Sequence, residues 1–256
     1  MRIIAIMNLK GGVGKTVTAV NVASILAAEH RKRVLLIDAD SQCNTTEFFL
    51  HNEEPIGTLY DLLARDGYPA FCTTHTDLVD LDLIPAVDAL MALDLKAAEG
   101  KKAKLTALRA ALADLEAADR YDVAIIDCPP SFSVACAAAL LAAREVIIPI
   151  KLDAFSLRGM TNLYKQVASM QRLNPELRVA GCLETMWYSD PRMEQADKQL
   201  RASNLPVFTT RIRRSDRVDG STFAQEPLRR YSPHSAAGVD YRRFVAELIG
   251  GARRGK

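Results

Sequence analysis

The sequence contains few of the residues that build disulfide frameworks or zinc sites. Its five cysteines are widely spaced, odd in number and form no C-x-x-C pair, which argues against both kinds of scaffold. It also lacks an apolar run of about 18 residues, and no basic N-terminal region precedes a long apolar stretch, so we expect neither a membrane span nor a signal peptide. The formal charge of +2 is small and does not by itself demand nucleic acid or an anionic membrane. We therefore predict a cytoplasmic protein.

Short apolar runs alternate with longer amphipathic segments along the chain. The apolar runs do not alternate internally, which is typical of a parallel sheet covered on both faces. We predict a single α/β domain over residues 1–256, a mostly parallel twisted sheet with helices on both faces, and no N-terminal helix-turn-helix extension. The predicted strands are Ile3–Met7, Arg33–Ile37, Leu81–Ile84, Val123–Asp127, Val146–Ile150 and Val179–Leu183. The predicted helices are Lys15–Glu29, Lys104–Ala117, Phe132–Ala143, Leu157–Leu173, Glu194–Ala202 and Asp240–Ile249.

A loop rich in glycine and lysine, KGGVGKT at Lys10–Thr16, directly follows the first apolar run. Glycines permit positive φ angles and close backbone approach to a polyphosphate, and the following helix adds its N-terminal dipole. Lys15 brings a charge to the β- and γ-phosphates, and the Thr16 hydroxyl can ligate Mg²⁺. The usual pattern G-x-x-x-x-G-K-[ST] would begin with glycine where this sequence has Leu9. We predict a P-loop NTPase fold whose nucleotide-binding residues are Lys10, Gly11, Gly12, Val13, Gly14, Lys15, Thr16 and Val17.

Two later apolar strands end in carboxylates. The segment LLIDADSQCNTT contains Asp38 and Asp40, and the segment YDVAIIDCPPS contains Asp127. Ligands of open α/β sheets bind at the carboxyl ends of the strands, so we expect these carboxylates to lie beside the phosphates. In that position one carboxylate can order a water of Mg²⁺ and another can order the attacking water.

Together these motifs resemble the ParA-type partition ATPases of the deviant Walker A (ParA/MinD) group. The resemblance covers nearly the whole chain and includes LDLIPA at Leu81–Ala86, VIIPIKLDAFSLRGM at Val146–Met160 and the closing VDYRRFVAELI. It implies an ATP-driven homodimer in which Lys10 crosses to the partner's phosphates and neutralises transition-state charge. It also assigns Lys10, Lys15 and Asp40 to catalysis, and Thr16, Asp38 and Asp127 to Mg²⁺. Two departures, Val17 where many relatives have threonine and Ser41 where many have proline, bear on affinity and rate.

A cluster of positive charge lies near the C-terminus. Between Arg192 and Arg230 the chain has eight arginines and one lysine against five acidic residues. Such a cluster can bind the phosphates of DNA of any sequence, although a solvated basic surface paired with the interspersed acids is the alternative. The resemblance implies DNA contacts from Arg192 and Arg217, to which we add Arg211. Arg213 and Arg214 match a stretch that approaches the adenine in relatives, so we predict that they serve the nucleotide.

The resemblance therefore implies a DNA-partition ATPase that uses ATP and Mg²⁺ and hydrolyses ATP slowly. Its ATP-bound sandwich dimer would bind non-specific DNA on the nucleoid, and a ParB-like centromere-binding or cargo adaptor protein would stimulate release. One alternative is a relative that positions a non-DNA cargo on the nucleoid. Another is a MinD-like ATPase of the membrane surface, which needs a C-terminal amphipathic helix that the tail after Ile249 does not supply; we predict no membrane partner. A redox ATPase like the nitrogenase iron protein needs paired bridging cysteines, which are not evident.

Overall fold

Seven strands form one sheet in the computed structural model, which describes residues 1–51, 53–65, 67–100, 104–153, 156–203 and 205–251. The strands are β1 (Arg2–Ile6), β2 (Val34–Asp38), β3 (Thr74–His75), β4 (Leu81–Ile84), β5 (Val123–Asp127), β6 (Glu145–Lys151) and β7 (Arg178–Thr185). Their order across the sheet is β3-β4-β2-β5-β1-β6-β7. The edge strand β3 pairs antiparallel with β4, and the other pairs are parallel. The predicted mostly parallel sheet is confirmed.

Helices cover both faces of this sheet, as predicted. They are α1 (Lys15–His30), α2 (Asn44–Leu50), α3 (Leu59–Ala64), α4 (Met91–Ala98), α5 (Ala107–Ala117), α6 (Val134–Ala142), α7 (Ser156–Gln171), α8 (Pro191–Arg201), α9 (Arg217–Phe223), α10 (Leu228–Tyr231) and α11 (Ala236–Gly251). Successive side chains of a strand point to opposite faces, so Ile3 and Ala5 of β1 join one apolar layer with α5 and α6. Ile4 and Ile6 join a second layer with α1 and α11. In the described ranges, none of these helices has the length and apolar character to cross a membrane.

All six predicted strands are present, with ends within two residues of the prediction, and β4 and β5 have the predicted bounds. The short elements β3, α2, α3 and α4 were not predicted from the sequence. Helices α9 and α10 lie within residues 205–235, where no helix or strand was predicted. Residues 154 and 155, within the matching segment Val146–Met160, and residue 204 lie outside the described residues.

Strand order and register bring the three motifs together. Strands β2, β5 and β1 are adjacent and parallel, so their carboxyl ends lie at one edge of the sheet. Asp38, the last residue of β2, is in register with Asp127, the last residue of β5, and Asp127 is in register with Ile6 of β1. The loop that leaves β1 toward α1 therefore starts next to both carboxylates, although Asp127 is distant in sequence.

Candidate nucleotide-binding site

The loop between β1 and α1 has the backbone that a phosphate site requires. Gly12 and Gly14 have φ angles of 68° and 83°, in the left-handed region where a side chain would be strained. Gly14 is the N-cap of α1, so the unpaired N–H groups of the first helical turn open onto the loop. A Cβ atom built at Gly11 or Gly12 would meet no described heavy atom within 4 Å. The space over these glycines is open to a ligand.

Two side chains that the sequence analysis missed hold the loop in place. Asn8 Nδ2 donates to the Pro149 carbonyl at 2.7 Å, and Asn8 Oδ1 accepts from the Lys10 N–H at 3.0 Å. Thr185 Oγ1 donates to the Val13 carbonyl at 2.8 Å. Both side chains are buried and tie the loop to β6 and β7. A polar residue directly after the first predicted strand, as Asn8 is, could have indicated this role from the sequence.

Lys15 lies inside the loop rather than on its surface. Its Nζ donates to the Lys10 carbonyl at 3.3 Å, and the residue is buried. Burial lowers the pKa of Lys15, while the charges of Asp127 and Asp40 oppose that shift. The predicted phosphate-binding lysine and two of the three predicted carboxylates therefore belong to one site.

The carboxylates of Asp38 and Asp127 are buried and differ in how their oxygens are used. Asp38 accepts the Asp40 N–H on Oδ1 at 3.0 Å, and it accepts the N–H and hydroxyl of Thr46 on Oδ2 at 2.9 and 2.8 Å. Asp127 Oδ2 accepts the hydroxyls of Thr16 and Thr45 at 2.7 and 2.8 Å. Asp127 Oδ1 is buried and has no hydrogen-bond partner among the described residues. Burial raises the pKa of both carboxyl groups, and the charge of Asp127 adds to the effect on Asp38.

This arrangement fits a divalent cation. The donors are carboxylate and hydroxyl oxygens, the ligand type that Mg²⁺ prefers. Thr16 and Asp127, both predicted at the metal, are bonded to each other, and Asp38 is the register partner of Asp127. A buried acceptor without a donor is costly, so Asp127 Oδ1 provides a free oxygen for a water held by the cation. Both oxygens of Asp38 already accept hydrogen bonds from the protein. Its contact with Mg²⁺ through a bridging water stays a prediction.

The remaining two predicted catalytic residues, Asp40 and Lys10, differ in exposure to solvent. Asp40 is buried, and its Oδ1 accepts the Gln42 N–H at 3.0 Å. The Lys10 ammonium forms an ion pair with the carboxylate of Asp153, which follows β6 in the chain. The side chains of Lys10 and Asp153 are 40% and 33% exposed. Lys15 therefore faces the interior of the loop, whereas Lys10 faces solvent.

A cavity of about 260 Å³ adjoins the loop. It begins at Gly14 and Val17 and extends to Arg213 and Arg214, so the structure brings together four predicted nucleotide-binding residues. Arg213 is fixed beside the cavity because its Nε and Nη2 donate to the two Asp240 oxygens of α11 at 2.7 and 2.8 Å. The other lining residues are Lys151, Thr185, Met186, Tyr188, Ile212, Ser215, Asp216, Val218, Asp219 and Tyr241. The volume and position suit the nucleoside part of a nucleotide whose phosphates lie over the loop.

Acidic residues from outside the basic cluster neutralise much of its charge. Arg201 and Arg211 pair with Glu184, Arg213 with Asp240, and Arg230 with Asp77. Arg192 is 89% exposed and pairs only locally, with Asp190 at 3.1 Å. Arg217 begins α9 and makes no ion pair with the described residues. Of the three arginines predicted at DNA, Arg192 and Arg217 therefore present their charge to solvent.

Arg211 has an internal role that the sequence analysis did not anticipate. Its Nε lies 2.8 Å from Glu184 Oε2, the guanidinium also pairs with Asp197, and it stacks over the Trp187 ring at 5.1 Å. The side chain of Glu184 is fully buried, so its charge needs a partner. The contacts of Arg211 therefore give it a structural role, and its contact with DNA stays a prediction.

Replacing Arg211 with alanine is expected to lower the free energy of unfolding by about 2 kcal/mol. This is below the ~3–5 kcal/mol typical of a broken buried pair, because Arg201 still pairs with Glu184. Urea denaturation of Arg211→Ala and of the exposed control Arg172→Ala would measure the difference. Equal stability of the two variants would contradict the internal role.

Comparison with known proteins connects this site to a family. Residues 1–179 match the family described as an AAA domain. The chain is 34% identical over 253 residues to the chromosome partitioning protein ParA of Caulobacter vibrioides, covering 97% of this chain and 94% of that protein. It is 36% identical over 253 residues to the chromosome-partitioning ATPase Soj of Thermus thermophilus, covering 97% and 96%.

A solved structure with a similar fold carries a nucleotide. Cobyrinic acid a,c-diamide synthase from Mycobacterium smegmatis with bound ADP and magnesium superposes with a TM-score of 0.83 at 28% identity. The match covers 100% of this chain and 97% of that one.

Proposed function

This chain belongs to the ParA-type family of P-loop partition ATPases, and we propose that it segregates DNA through an ATP-dependent dimer. In this proposal the ATP-bound dimer binds non-specific DNA on the nucleoid in the cytoplasm. A ParB-like centromere-binding or cargo adaptor protein stimulates slow hydrolysis and so releases the dimer. The single domain would perform both nucleotide and DNA binding.

The observation that carries the proposal is the contrast between the two lysines of the loop. Lys15 is buried beside Asp127 and Asp40, so in this proposal it neutralises the phosphate charge of the nucleotide bound by its own subunit. Lys10 is at the rim, two-fifths exposed, with its ammonium on Asp153. Lys10 is thus a second cation of the phosphate loop, and it faces outward. A nucleotide site that is completed by another copy of the chain requires such a cation.

In this proposal each step of ATP hydrolysis is assigned to particular residues of the site. The glycine loop and Lys15 bind the phosphates, and Asp40 orients a water for attack on the γ-phosphorus. The bond from that phosphorus to the bridging oxygen of ADP breaks, giving ADP and phosphate. Mg²⁺, when bound, neutralises charge on the phosphate oxygens, and Thr16, Asp38 and Asp127 would hold it. Lys10 of the partner subunit would stabilise the charge that develops in the transition state.

The DNA surface proposed here consists of Arg192 and Arg217. Both side chains are exposed, and neither is engaged by an acid from a distant part of the described chain. Tyr188 lines both the nucleotide cavity and the groove that contains Arg192. The DNA surface therefore adjoins the nucleotide site, which supports control of DNA binding by the bound nucleotide.

ATP is expected to tighten binding to duplex DNA of arbitrary sequence at least tenfold (about 1.4 kcal/mol) relative to ADP. Arg192→Ala and Arg217→Ala should each weaken the ATP-dependent complex uniformly across sequences and lower its salt slope by about one, since each removes a phosphate contact. Fluorescence anisotropy with labelled DNA, measured with ATP, ADP and no nucleotide over a salt series, checks both effects.

Arg172→Ala is the matched control. This exposed arginine directly follows α7, and a crossover helix that starts at the carboxyl edge of the sheet ends at the opposite edge. Its removal changes the net charge by the same amount and should leave the salt slope unchanged. If ATP gives wild type no gain in DNA affinity, the partition function proposed here is wrong.

A further inference from the structure

Thr45 carries a buried hydroxyl next to the predicted metal carboxylate Asp127, and the motif that contains it was assigned no role for this residue. It lies in the first turn of α2, and its residue is fully buried. Its Oγ1 donates to Asp127 Oδ2 at 2.8 Å, the same oxygen that accepts the Thr16 hydroxyl at 2.7 Å. Two donors thus hold one oxygen of Asp127 and leave the other, Oδ1, without a described partner. The carboxylate is fixed on one side and open on the other.

The two hydroxyls on Asp127 differ in what else they can do. Thr16 directly follows Lys15 in the loop, where the hydroxyl oxygen of a P-loop threonine is placed to ligate Mg²⁺. Thr45 has no place in the loop, and the hydrogen bond that the structure records for its hydroxyl is the one to Asp127. Its contribution is therefore to the orientation of the carboxylate, as groups behind a metal ligand orient that ligand in other metal sites.

The helical turn that contains Thr45 also supports the second carboxylate. The neighbouring Thr46 donates both its N–H and its hydroxyl to Asp38 Oδ2. Asp40 precedes this turn by a few residues, and its N–H is bonded to Asp38. One turn of α2 therefore bonds to the carboxylates at the ends of both β2 and β5.

We propose that Thr45 is a positioning residue that orients Asp127 so that its free oxygen faces the Mg²⁺ of bound nucleotide. The inference rests on the proposed ATPase function and deepens it at the metal site. Without this hydroxyl, the carboxylate keeps only the donor that also has to serve the metal. Thr45→Val preserves the shape of the side chain and removes the donor, so it should weaken Mg²⁺ binding by about tenfold, the lower end of such effects.

The test measures Mg²⁺ affinity directly and does not depend on turnover. The probe is ADP labelled with a methylanthraniloyl fluorophore, bound to the purified protein in EDTA and then titrated with Mg²⁺. Thr45→Val should shift the Mg²⁺ midpoint about tenfold upward and leave the affinity for metal-free ADP within about twofold of wild type. Thr45→Ser retains the hydroxyl and should restore the wild-type midpoint.

Ser24→Ala is the control for loss of a buried hydroxyl. Ser24 lies in α1, and its hydroxyl donates to the Asn21 carbonyl rather than to a carboxylate, so its midpoint should match wild type. A wild-type midpoint in Thr45→Val would overturn the inference, as would an equal loss of ADP binding with and without Mg²⁺. Thr45→Ala serves the same comparison if the valine variant does not fold. This measurement does not involve DNA. If Thr45→Val shifts the Mg²⁺ midpoint but wild type shows no ATP-dependent DNA binding, only the partition function is contradicted.

Discussion

Lys10→Ala is expected to lower the rate of ATP hydrolysis about 10³-fold or more while ATP still binds to the monomer. A cation supplied by a second subunit to the transferring phosphoryl group is worth this much in other P-loop enzymes. Binding is expected to persist because the buried Lys15 and the glycine loop remain. Phosphate release and binding of a fluorescent ATP analogue, measured on the same preparation, separate the two effects.

Mixing two inactive variants tests whether Lys10 acts on the other subunit. In a dimer of Lys10→Ala with Lys15→Ala, the first subunit keeps its own Lys15 and receives Lys10 from the second. One complete site forms, so the mixture should regain hydrolysis that neither variant shows alone. If Lys10 served its own site, the mixture would stay inactive at every ratio. Lys32→Ala removes an exposed lysine at the far end of α1 and should have wild-type activity.

Asp40→Asn is expected to slow hydrolysis by about 10²–10⁴-fold, the range for loss of a positioned acid–base group, without loss of ATP binding. The side chain keeps its shape, and its oxygen can still accept the Gln42 N–H. Because hydrolysis releases the dimer in the proposed cycle, the ATP-dependent complex with DNA should persist for much longer than that of wild type. Single-turnover hydrolysis and the dissociation rate from DNA check the two results.

Asp114→Asn is the corresponding control, since Asp114 is an exposed residue of α5 that lies outside the site. It should hydrolyse ATP and leave DNA at the wild-type rates. A variant of Asp40 that retained normal turnover would remove this carboxylate from the mechanism and leave Asp38 and Asp127 as the candidates for ordering the water.

The parts of the fold that the sequence predicted are those that local pattern determines. The bounds of β5 were predicted correctly because its first four residues form a continuous apolar run that ends at Asp127. Those of β4 were predicted correctly because Leu81, Leu83 and Ile84 are apolar and Pro85 follows them. Helices α2, α3 and α4 were missed because they have eight or fewer residues, too few to establish a helical period. The edge strand β3, with two residues, has no detectable alternation.

The contacts of the candidate site were likewise predictable where they are local in sequence and not where they join distant residues. Glycines and lysines of the phosphate loop are adjacent in sequence, so their shared role was evident from the motif. The partners of the arginines are not adjacent: Glu184 and Asp240 belong to β7 and α11, and Asp77 lies before β4. The local count of charges therefore overstated the positive charge of this region, because it did not include these distant acidic partners. The role of Thr45 could not be predicted from the sequence, because its hydrogen-bond partner Asp127 is 82 positions away along the chain.

The contact between Lys10 and Asp153 gives the proposed cycle two opposite responses to ionic strength. Both side chains are partly exposed, so the pair contributes about 1 kcal/mol or less and is weakened by salt. Lys10 has to leave Asp153 before it can serve another subunit. Added salt would then ease entry into the dimer while it loosens the dimer's hold on DNA. The protein would spend most time on DNA at an intermediate salt concentration, not at the lowest one.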